Sequence, residues 1–344
     1  MAGSDGIALI TGLGQVSVLG IGKESFAAGL AGDIEPRNSP VWDVEAFDLR
    51  DHVSIKTQCL DKASSMAVLA ASHVIKDAQW QVDEASDRIG LVLGTMYGNM
   101  SVMQAYLGLE NPSPLRFVHT FINAPAGLAS QVLKLRGAHA LLCSGAAVGL
   151  QAIRYGCYLL ASGKADKVIC GGVDSYGFIQ ARSDTMAQTI EGAAPPSEGA
   201  GLIGLEKVNG RHAPGDGYGV VAGSAVESFT TLTAEHGQRV MTKAMTHGRC
   251  EAEDIDWVMT ATSAGHAEAA AEREALQQLG IGQDKWHDVA GAVGQTGGAQ
   301  GGLAAVMACL LMHRESGAKR QQRALVNAMQ AKQFMSILIT SNGV

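Results

Sequence analysis

The sequence predicts an α/β fold made of two similar halves, and three observations support this prediction. Apolar strand-like runs alternate with helical segments along the chain, as in α/β proteins. A unit of strand, glycine-containing turn, apolar helix, glycine stop and strand occurs twice, at residues 141–172 and 293–328. A chain of 344 residues with 43 Gly, 47% apolar and 17% charged residues is long and apolar enough to bury a large core.

The first unit starts with a predicted strand at residues 140–142 and a helix from about residue 145 to residue 160. A stop at Gly163 leads into a second strand, residues 168–174, so that the unit forms a parallel crossover. Residue 146 lies at the turn into the helix, where free N–H groups and the helix dipole favour a thiolate or an oxyanion. The residue there is Ala146, whose methyl group cannot act as a nucleophile.

The second unit repeats this order, with a turn at residues 293–296, a helix around residues 303–313 and a strand at residues 324–328. Each unit also follows an earlier strand, at residues 87–95 and 256–262. A Gly/Pro-rich turn at residues 212–217 separates the first unit and its earlier strand from the second unit and its earlier strand. We therefore expect an N-terminal half of residues 1–217 and a C-terminal half of residues 218–344.

Composition and charge limit the classes of protein to which this chain could belong. The sequence has neither an apolar run of transmembrane length nor a leader-like start, which predicts a soluble, cytoplasmic protein without membrane association. A net charge of −7 argues against nucleic-acid binding. The six cysteines show no C-x-x-C spacing, which favours reduced thiols over disulfides or a metal site; they are Cys59, Cys143, Cys157, Cys170, Cys250 and Cys309.

Three motifs together resemble the β-ketoacyl-acyl carrier protein synthases of the thiolase superfamily. Residues 10–20 are similar to the family's opening V-T-G-x-G-x-V-S-x-L-G, and residues 197–206 to its G-E-G-A-G strand entry. Residues 137–174 look like the family's nucleophile region. The resemblance covers nearly the whole chain and implies the thiolase fold, in which the two halves form a five-layered α-β-α-β-α sandwich.

The resemblance also locates the catalytic positions of the family, and this chain has lost them. The nucleophilic cysteine falls on Ala146, the first histidine on Ala261, the second on Gln295 and the lysine on Ala290. The late G-F-G-G loop, which helps to form the oxyanion hole, falls on residues 330–333. Condensation requires a thiolate and activating imidazoles. The resemblance therefore implies a chain that cannot condense acyl thioesters alone and that needs no cofactor.

A synthase-like subunit without catalytic groups resembles the chain length factors. These proteins form heterodimers with an active ketosynthase and shape the tunnel that holds its growing chain. In that class, a helix sends bulky side chains across the interface into the tunnel, and the matching residues here are Met100, Met103 and Leu107. Their i, i+3, i+7 spacing places them on one helical face. The alternative interpretation is that this stripe is ordinary core.

The resemblance implies further interface residues and partners. Phe121, between Thr120 and Ile122, falls where synthases of this fold insert side chains into the partner's pocket. The strand around residues 139–143 is expected to pair with the active ketosynthase, and acyl carrier protein to bind through the complex. Known aromatic-polyketide members have glutamine where this chain has Ala146. The sequence therefore does not decide between aromatic-polyketide, polyene and fatty-acid-like synthesis as the pathway in which this chain acts.

Two alternative functions stay open at the level of sequence. The first is an acyl-thioester enzyme that uses Cys143, three residues before Ala146, in a rearranged site. Against it, the end of an apolar strand predicts a buried, inert thiol. The second is an inert homodimer that binds acyl carrier protein.

Overall fold

The computed structural model of the chain describes residues 8–32, 39–54, 61–82, 84–111, 113–177, 193–208, 217–260, 267–314, 321–330 and 332–341. Within them lie eleven strands that belong to one sheet. The strands are β1 Ala8–Ser17, β2 Gly20–Ile21, β3 Ile89–Thr95, β4 His139–Cys143, β5 Lys167–Asp174, β6 Gly199–Lys207, β7 Gly219–Ser228, β8 Trp257–Thr260, β9 Trp286–Asp288, β10 Arg323–Gln330 and β11 Gln333–Thr340.

Ten α-helices connect or flank these strands in the described part of the chain. None of the helices is long and apolar enough to cross a bilayer. The helices are α1 Lys23–Leu30, α2 Lys62–Asp77, α3 Met100–Leu107, α4 Pro114–Phe117, α5 Ala124–Leu133, α6 Val148–Ala161, α7 Ala234–His247, α8 Ala267–Gln278, α9 Val289–Val293 and α10 Gln300–Arg314.

The strand order shows the internal duplication. The sheet runs β4-β3-β5-β6-β1-β7-β11-β10-β8-β9, so each half contributes the same five-strand arrangement from the rim to the centre. In both halves the three outer strands run parallel to one another. The fourth strand is antiparallel to the third, and the innermost strand is antiparallel to the fourth. The halves join where β1 pairs with β7 over three residues. The predicted boundary between residues 217 and 218 lies directly before β7.

Three apolar cores separate the layers. The central core holds α6 and α10 between the two halves of the sheet, and almost every side chain of α10 is buried. A second core lies under α2 and α5, and a third under α7 and α8. Side chains alternate between cores along a strand, since Val92 joins the central core while Leu91 and Leu93 join the outer one. This is the five-layered α-β-α-β-α arrangement of the thiolase fold.

Glycines let the central helices approach the sheet and each other at backbone distance. A Cβ at Gly302 of α10 would lie 2.0 Å from the Gly201 carbonyl oxygen of β6. A Cβ at Gly149 of α6 would lie 2.8 Å from the Gly298 carbonyl oxygen. Contacts this short exclude any side chain. They bring the N-terminal ends of α6 and α10 together, and these ends carry the positions matched to the catalytic residues.

Candidate functional site

The turn that precedes α6 positions Ala146. Strand β4 ends at Cys143, and α6 begins only at Val148, three residues later than the predicted start. Residues 145–147 form a turn instead, closed by the Val148 N–H donating to the Gly145 carbonyl at 2.9 Å. Ala147 occupies the N-cap position and offers no capping side chain. Ala146 is partly exposed at this turn. Its methyl group lies at the position that the sequence resemblance matches to the nucleophile.

The loop before α10 holds Gln295 through its backbone and its side chain. The Gln295 backbone N–H donates to the Pro195 carbonyl at 2.8 Å, and its side-chain amide donates to the Ala194 carbonyl at 2.7 Å. Gln295 therefore acts as a connector to the segment before β6. Ala290 is buried in α9. Ala261, the position matched to the first histidine, lies outside the described residues.

Strands β10 and β11 pair up to the two ends of the late loop. Gln330 and Gln333 pair at the ends of β10 and β11, so that only residues 331 and 332 separate the strands. The side-chain amide of Gln151, in α6, donates to the side-chain oxygen of Gln333. The Ser144 hydroxyl donates to the same Gln151 side chain at 3.0 Å. The turn before α6 and the start of β11 are thus joined by side chains.

A polar, open cavity adjoins this contact. Its volume is about 420 Å³, and its walls include the hydroxyls of Ser144 and Ser228, the amides of Gln151 and Gln333, and Lys332. The Lys332 carbonyl accepts a hydrogen bond from the Phe229 N–H at 2.8 Å, which fixes the hairpin turn against the chain that follows β7. The described walls contain neither a thiol nor an imidazole. They offer hydrogen-bonding groups and one cation, without an imidazole beside the serine hydroxyls to activate them.

Asp174, at the end of β5, holds the neighbouring segments together. Its carboxylate accepts hydrogen bonds from the Thr95 hydroxyl at 2.5 Å and the Met96 and Tyr97 N–H groups at 2.8 and 3.1 Å. It also accepts one from the Gly298 N–H at 2.6 Å. One buried carboxylate therefore connects the segment leading into α3 with the loop leading into α10.

Burial of Asp174 predicts a measurable pH dependence of stability. Desolvation raises its pKa to about 6, although its hydrogen-bond donors act in the opposite direction. Between pH 4 and 6 the folded state holds this proton more tightly than the unfolded state does, so the contribution of Asp174 to stability falls as pH rises through this window. Relative to Asp174→Asn, the wild type should gain about 1 kcal/mol between pH 7 and pH 5. Urea unfolding of both proteins at the two pH values measures this difference, and equal pH dependence would contradict it.

The predicted gate residues are on the surface. Met100, Met103 and Leu107 of α3 have exposed fractions of 41%, 42% and 75%. Phe121 is 49% exposed and contacts the Phe117 ring at a centroid distance of 5.1 Å. The interpretation of the stripe as core of this chain is therefore wrong. We call the exposed large apolar side chains of this region the α3 patch; they are Met96, Met100, Met103, Leu107, Leu109, Phe117, Val118, Phe121 and Ile122.

Cys143 is not the buried thiol that the sequence predicted. It is exposed because β4 is the last strand at its end of the sheet, and its sulfur lies 3.8 Å from the Met96 carbonyl oxygen. Partial desolvation, helped by the charge of Asp174, raises the pKa of the Cys143 thiol. A raised pKa reduces the thiolate that acyl transfer needs. The raised pKa therefore argues against an enzyme that uses Cys143, whereas the exposure of the thiol does not.

Two features of this region were not found by sequence reasoning. Asp174 ends a predicted strand and had no assigned role, although a carboxylate directly after an apolar strand is a signal that was available. The Gln151–Gln333 contact joins positions 182 apart in the sequence. No local pattern marks such a contact.

Comparisons with known proteins agree with this architecture. Residues 23–187 match the sequence profile of the family described as "Beta-ketoacyl synthase, N-terminal domain". The 3-oxoacyl-[acyl-carrier-protein] synthase 2 of Staphylococcus aureus is 26% identical over 352 aligned positions, covering 88% of this chain and 87% of that protein.

Two solved structures show the same fold. The ishigamide ketosynthase/chain length factor superposes with a TM-score of 0.82 at 21% identity, covering 98% of this chain and 100% of the other. A type II polyketide synthase acyl-carrier protein in complex with its ketosynthase gives a TM-score of 0.74 at 15% identity, covering 97% and 99%. The profile match over residues 23–187, the S. aureus relative and the shared fold together make this chain similar to the β-ketoacyl synthases along nearly its whole length.

Proposed function

We propose that this chain is a non-condensing subunit of a heterodimeric β-ketoacyl synthase, of the chain length factor kind. It pairs with a cysteine-bearing ketosynthase, completes the acyl tunnel and limits the chain length in polyketide, polyene or fatty-acid-like synthesis. The observation that carries the proposal is the exposed α3 patch beside the edge strand β4, in a chain with Ala146 at the position matched to the nucleophile.

The α3 patch has the character of an interface. Contiguous apolar surface is uncommon on soluble monomers and marks binding sites. The patch contains three methionines, Met96, Met100 and Met103, and the aromatic side chains Phe117 and Phe121, which are residue types enriched at the centres of interfaces. Since α3 contributes no buried residue to this chain, its apolar side chains are best explained by a partner.

Strand β4 provides the second part of the interface. Among the described residues β4 pairs with β3 and with no other strand, which leaves backbone N–H and C=O groups of residues 139–143 free along one side. Such an edge is a ready template for another strand. The Cys143 sulfur contacts the Met96 carbonyl, so the edge is continuous with the α3 patch. A partner that covers one therefore reaches the other.

The chemistry of the patch indicates the type of chain that the tunnel accepts. Methionine side chains are flexible and polarizable, and they adapt to irregular apolar shapes. Met100 and Met103, projecting from α3, would form a compliant apolar end wall. This suits a long unbranched or polyene acyl chain. Acyl carrier protein would then deliver substrate to the ketosynthase of the complex, in line with the solved ketosynthase that is bound to its carrier protein.

Native mass spectrometry tests the proposal. The tagged chain is purified from its host and the stoichiometric complex is identified by intact mass and peptide sequencing. A one-to-one complex with a ketosynthase that has cysteine at the nucleophile position supports the proposal. A homodimer or a monomer overturns it, and a homodimer would favour the inert carrier-protein-binding alternative.

Replacing Met100 with tryptophan is expected to shorten the product. The indole is larger than the methionine side chain and would move the end wall of the tunnel towards the partner's active site. Heterodimer formation should persist, because tryptophan keeps the α3 patch apolar and introduces no charge at the interface. Product lengths from the reconstituted complex, compared by mass spectrometry with the wild type, measure the effect. Unchanged lengths would exclude Met100 as a gate residue.

A further inference from the structure

We propose that Asn99 is the positioning residue of the partner-binding surface. Its side-chain amide fixes residues 100–123, called the surface segment below, to the rest of the chain. The surface segment carries every side chain of the α3 patch except Met96. The effect of Asn99 on partner affinity rests on the proposed function. The attachment itself does not, because it is a property of this chain alone.

The surface segment has no buried side chain to hold it in place. None of its described residues is buried, and α3 in particular contributes none. The chain is buried on both sides of it, at Gly98 and Asn99 before it and at residues 124–126 after it. Helices in proteins are usually stabilised by packing of an apolar face. Since α3 lacks such packing within this chain, its position depends on other contacts.

The surface segment is cohesive within itself. The Tyr106 ring lies 5.7 Å from the Phe117 ring, and the Phe117 ring lies 5.1 Å from the Phe121 ring. These contacts join α3 to the residues that follow α4. All three rings belong to the segment, so they stabilise it without attaching it to the sheet.

Asn99 supplies the attachment. Its amide donates one hydrogen bond to the Asp61 carboxylate at 3.1 Å and another to the His119 carbonyl at 2.8 Å. Asp61 caps α2 by accepting from the Ser64 N–H at 2.9 Å, whereas His119 lies near the far end of the surface segment. Both amide hydrogens are thus used, and together they tie the two ends of the segment to α2. Asn99 is only 3% exposed, so water does not replace these bonds readily.

The side chain of Asn99 serves this attachment in place of its usual role. Asn99 is the N-cap residue of α3, where an asparagine oxygen ordinarily accepts a hydrogen bond from one of the first helical N–H groups. Here the side chain makes no capping bond. Its oxygen is buried and has no hydrogen-bond partner among the described residues. The orientation of the amide is therefore explained by Asp61 and His119, and not by the helix that it starts.

The backbone beneath Asn99 is fixed as well. The Gly98 N–H donates to the Thr95 hydroxyl at 2.7 Å, and that hydroxyl donates to the buried Asp174 carboxylate. Gly98 has a φ of +55°, and a Cβ there would clash with the Ile122 side chain. The amide of Asn99 therefore acts from a rigid base at the end of the sheet.

Hydrogen exchange of the isolated chain, followed by peptide mass spectrometry, tests the attachment. A detached eight-residue helix is not stable in water. In Asn99→Ala, the amides of α3 should therefore exchange roughly tenfold faster than in the wild type, which corresponds to about 1.4 kcal/mol. Asn99→Asp has nearly the same shape but turns a carboxylate towards Asp61, and it should accelerate exchange at least as much. Unchanged exchange of α3 in both variants overturns the proposal.

Asn327→Ala is the matched control for a general loss of stability. Asn327 lies in β10 of the C-terminal half and is 1% exposed. Its amide donates to the Glu272 carboxylate at 2.9 Å and contacts the Met241 sulfur at 3.4 Å. Thermal unfolding should show a lower midpoint for this variant, while exchange of α3 stays as in the wild type. If Asn327→Ala accelerates exchange of α3 as much as Asn99→Ala does, Asn99 has no positioning role.

Partner affinity tests the consequence for binding. The apparent Kd rises by the inverse of the fraction of chains that have the binding-competent arrangement. Titration calorimetry with the ketosynthase should therefore show a Kd at least about threefold higher for Asn99→Asp and an unchanged Kd for Asn327→Ala. An unchanged Kd for Asn99→Asp would show that the attachment does not position the partner-binding surface.

The two proposals fail separately. If native mass spectrometry finds no ketosynthase but the Asn99 variants accelerate exchange of α3, the subunit assignment is wrong and the attachment stands. If the complex forms but exchange of α3 is unaffected, the role of Asn99 is wrong and the subunit assignment stands.

Discussion

Gly302→Ala is expected to remove a large part of the stability of this protein. The added Cβ would lie 2.0 Å from the carbonyl oxygen of Gly201, 2.8 Å from its carbonyl carbon and 3.0 Å from the Gly172 nitrogen. All three neighbours are backbone atoms of paired strands and cannot rotate away. Overpacking of this kind costs about 3 kcal/mol or more, out of a typical total of about 5–15 kcal/mol.

Gly127→Ala is the matched control for this substitution. Gly127 also lies in a helix, α5, but a Cβ at this position would meet nothing within 4 Å. Alanine should therefore be neutral there or stabilise the helix by up to about 1 kcal/mol. Urea unfolding followed by circular dichroism compares both variants with the wild type. Equal midpoints for Gly302→Ala and the wild type would show that α10 does not approach β6 so closely.

Phe121→Asp is expected to weaken heterodimer formation by at least about 100-fold, equivalent to roughly 3 kcal/mol. The side chain is about half exposed in this chain, and its ring packs on Phe117 within the α3 patch. Burying an unpaired carboxylate against an apolar partner surface costs several kcal/mol. The fold of the chain alone should be little affected, because Phe121 is not part of its core.

Val208→Asp is the control for the interface. Val208 is 44% exposed, close to the 49% of Phe121. Val208 follows Lys207, the last residue of β6. The first residue of β6, Gly199, pairs with Asp174 beneath the α3 patch, so Val208 lies at the opposite end of the strand from the patch. Isothermal titration calorimetry with the ketosynthase recovered from the host measures both variants. If Phe121→Asp and Val208→Asp weaken heterodimer affinity equally, the α3 patch is not part of the interface.

The order of elements was predictable because each element leaves a local pattern. The strand predicted at residues 140–142 is β4, His139–Cys143, and the predicted helix around residues 303–313 is α10, Gln300–Arg314. Periodicity and glycine stops suffice for such features. The start of α6 was wrong by three residues because the turn at residues 145–147 has no side-chain cap to mark it.

Exposure and long-range contacts were not predictable in the same way. Cys143 was expected to be buried, since an apolar strand looks the same whether it lies inside a sheet or at its edge. The spacing of Met100, Met103 and Leu107 could not distinguish a core-facing stripe from an interface. The contact between Gln151 and Gln333 depends on how α6 and β11 meet in space. In each case the deciding information lies in the topology.

The two ends of the sheet differ in a way that limits assembly. At one end, β4 offers five residues with an open side. At the other, β9 has only three residues, and the side chain of its last residue, Asp288, caps α9 by accepting from the Gly291 N–H at 2.9 Å. Short strand edges with charged residues resist further pairing. Pairing through β4, as proposed above, would therefore give a closed two-chain particle rather than a growing filament.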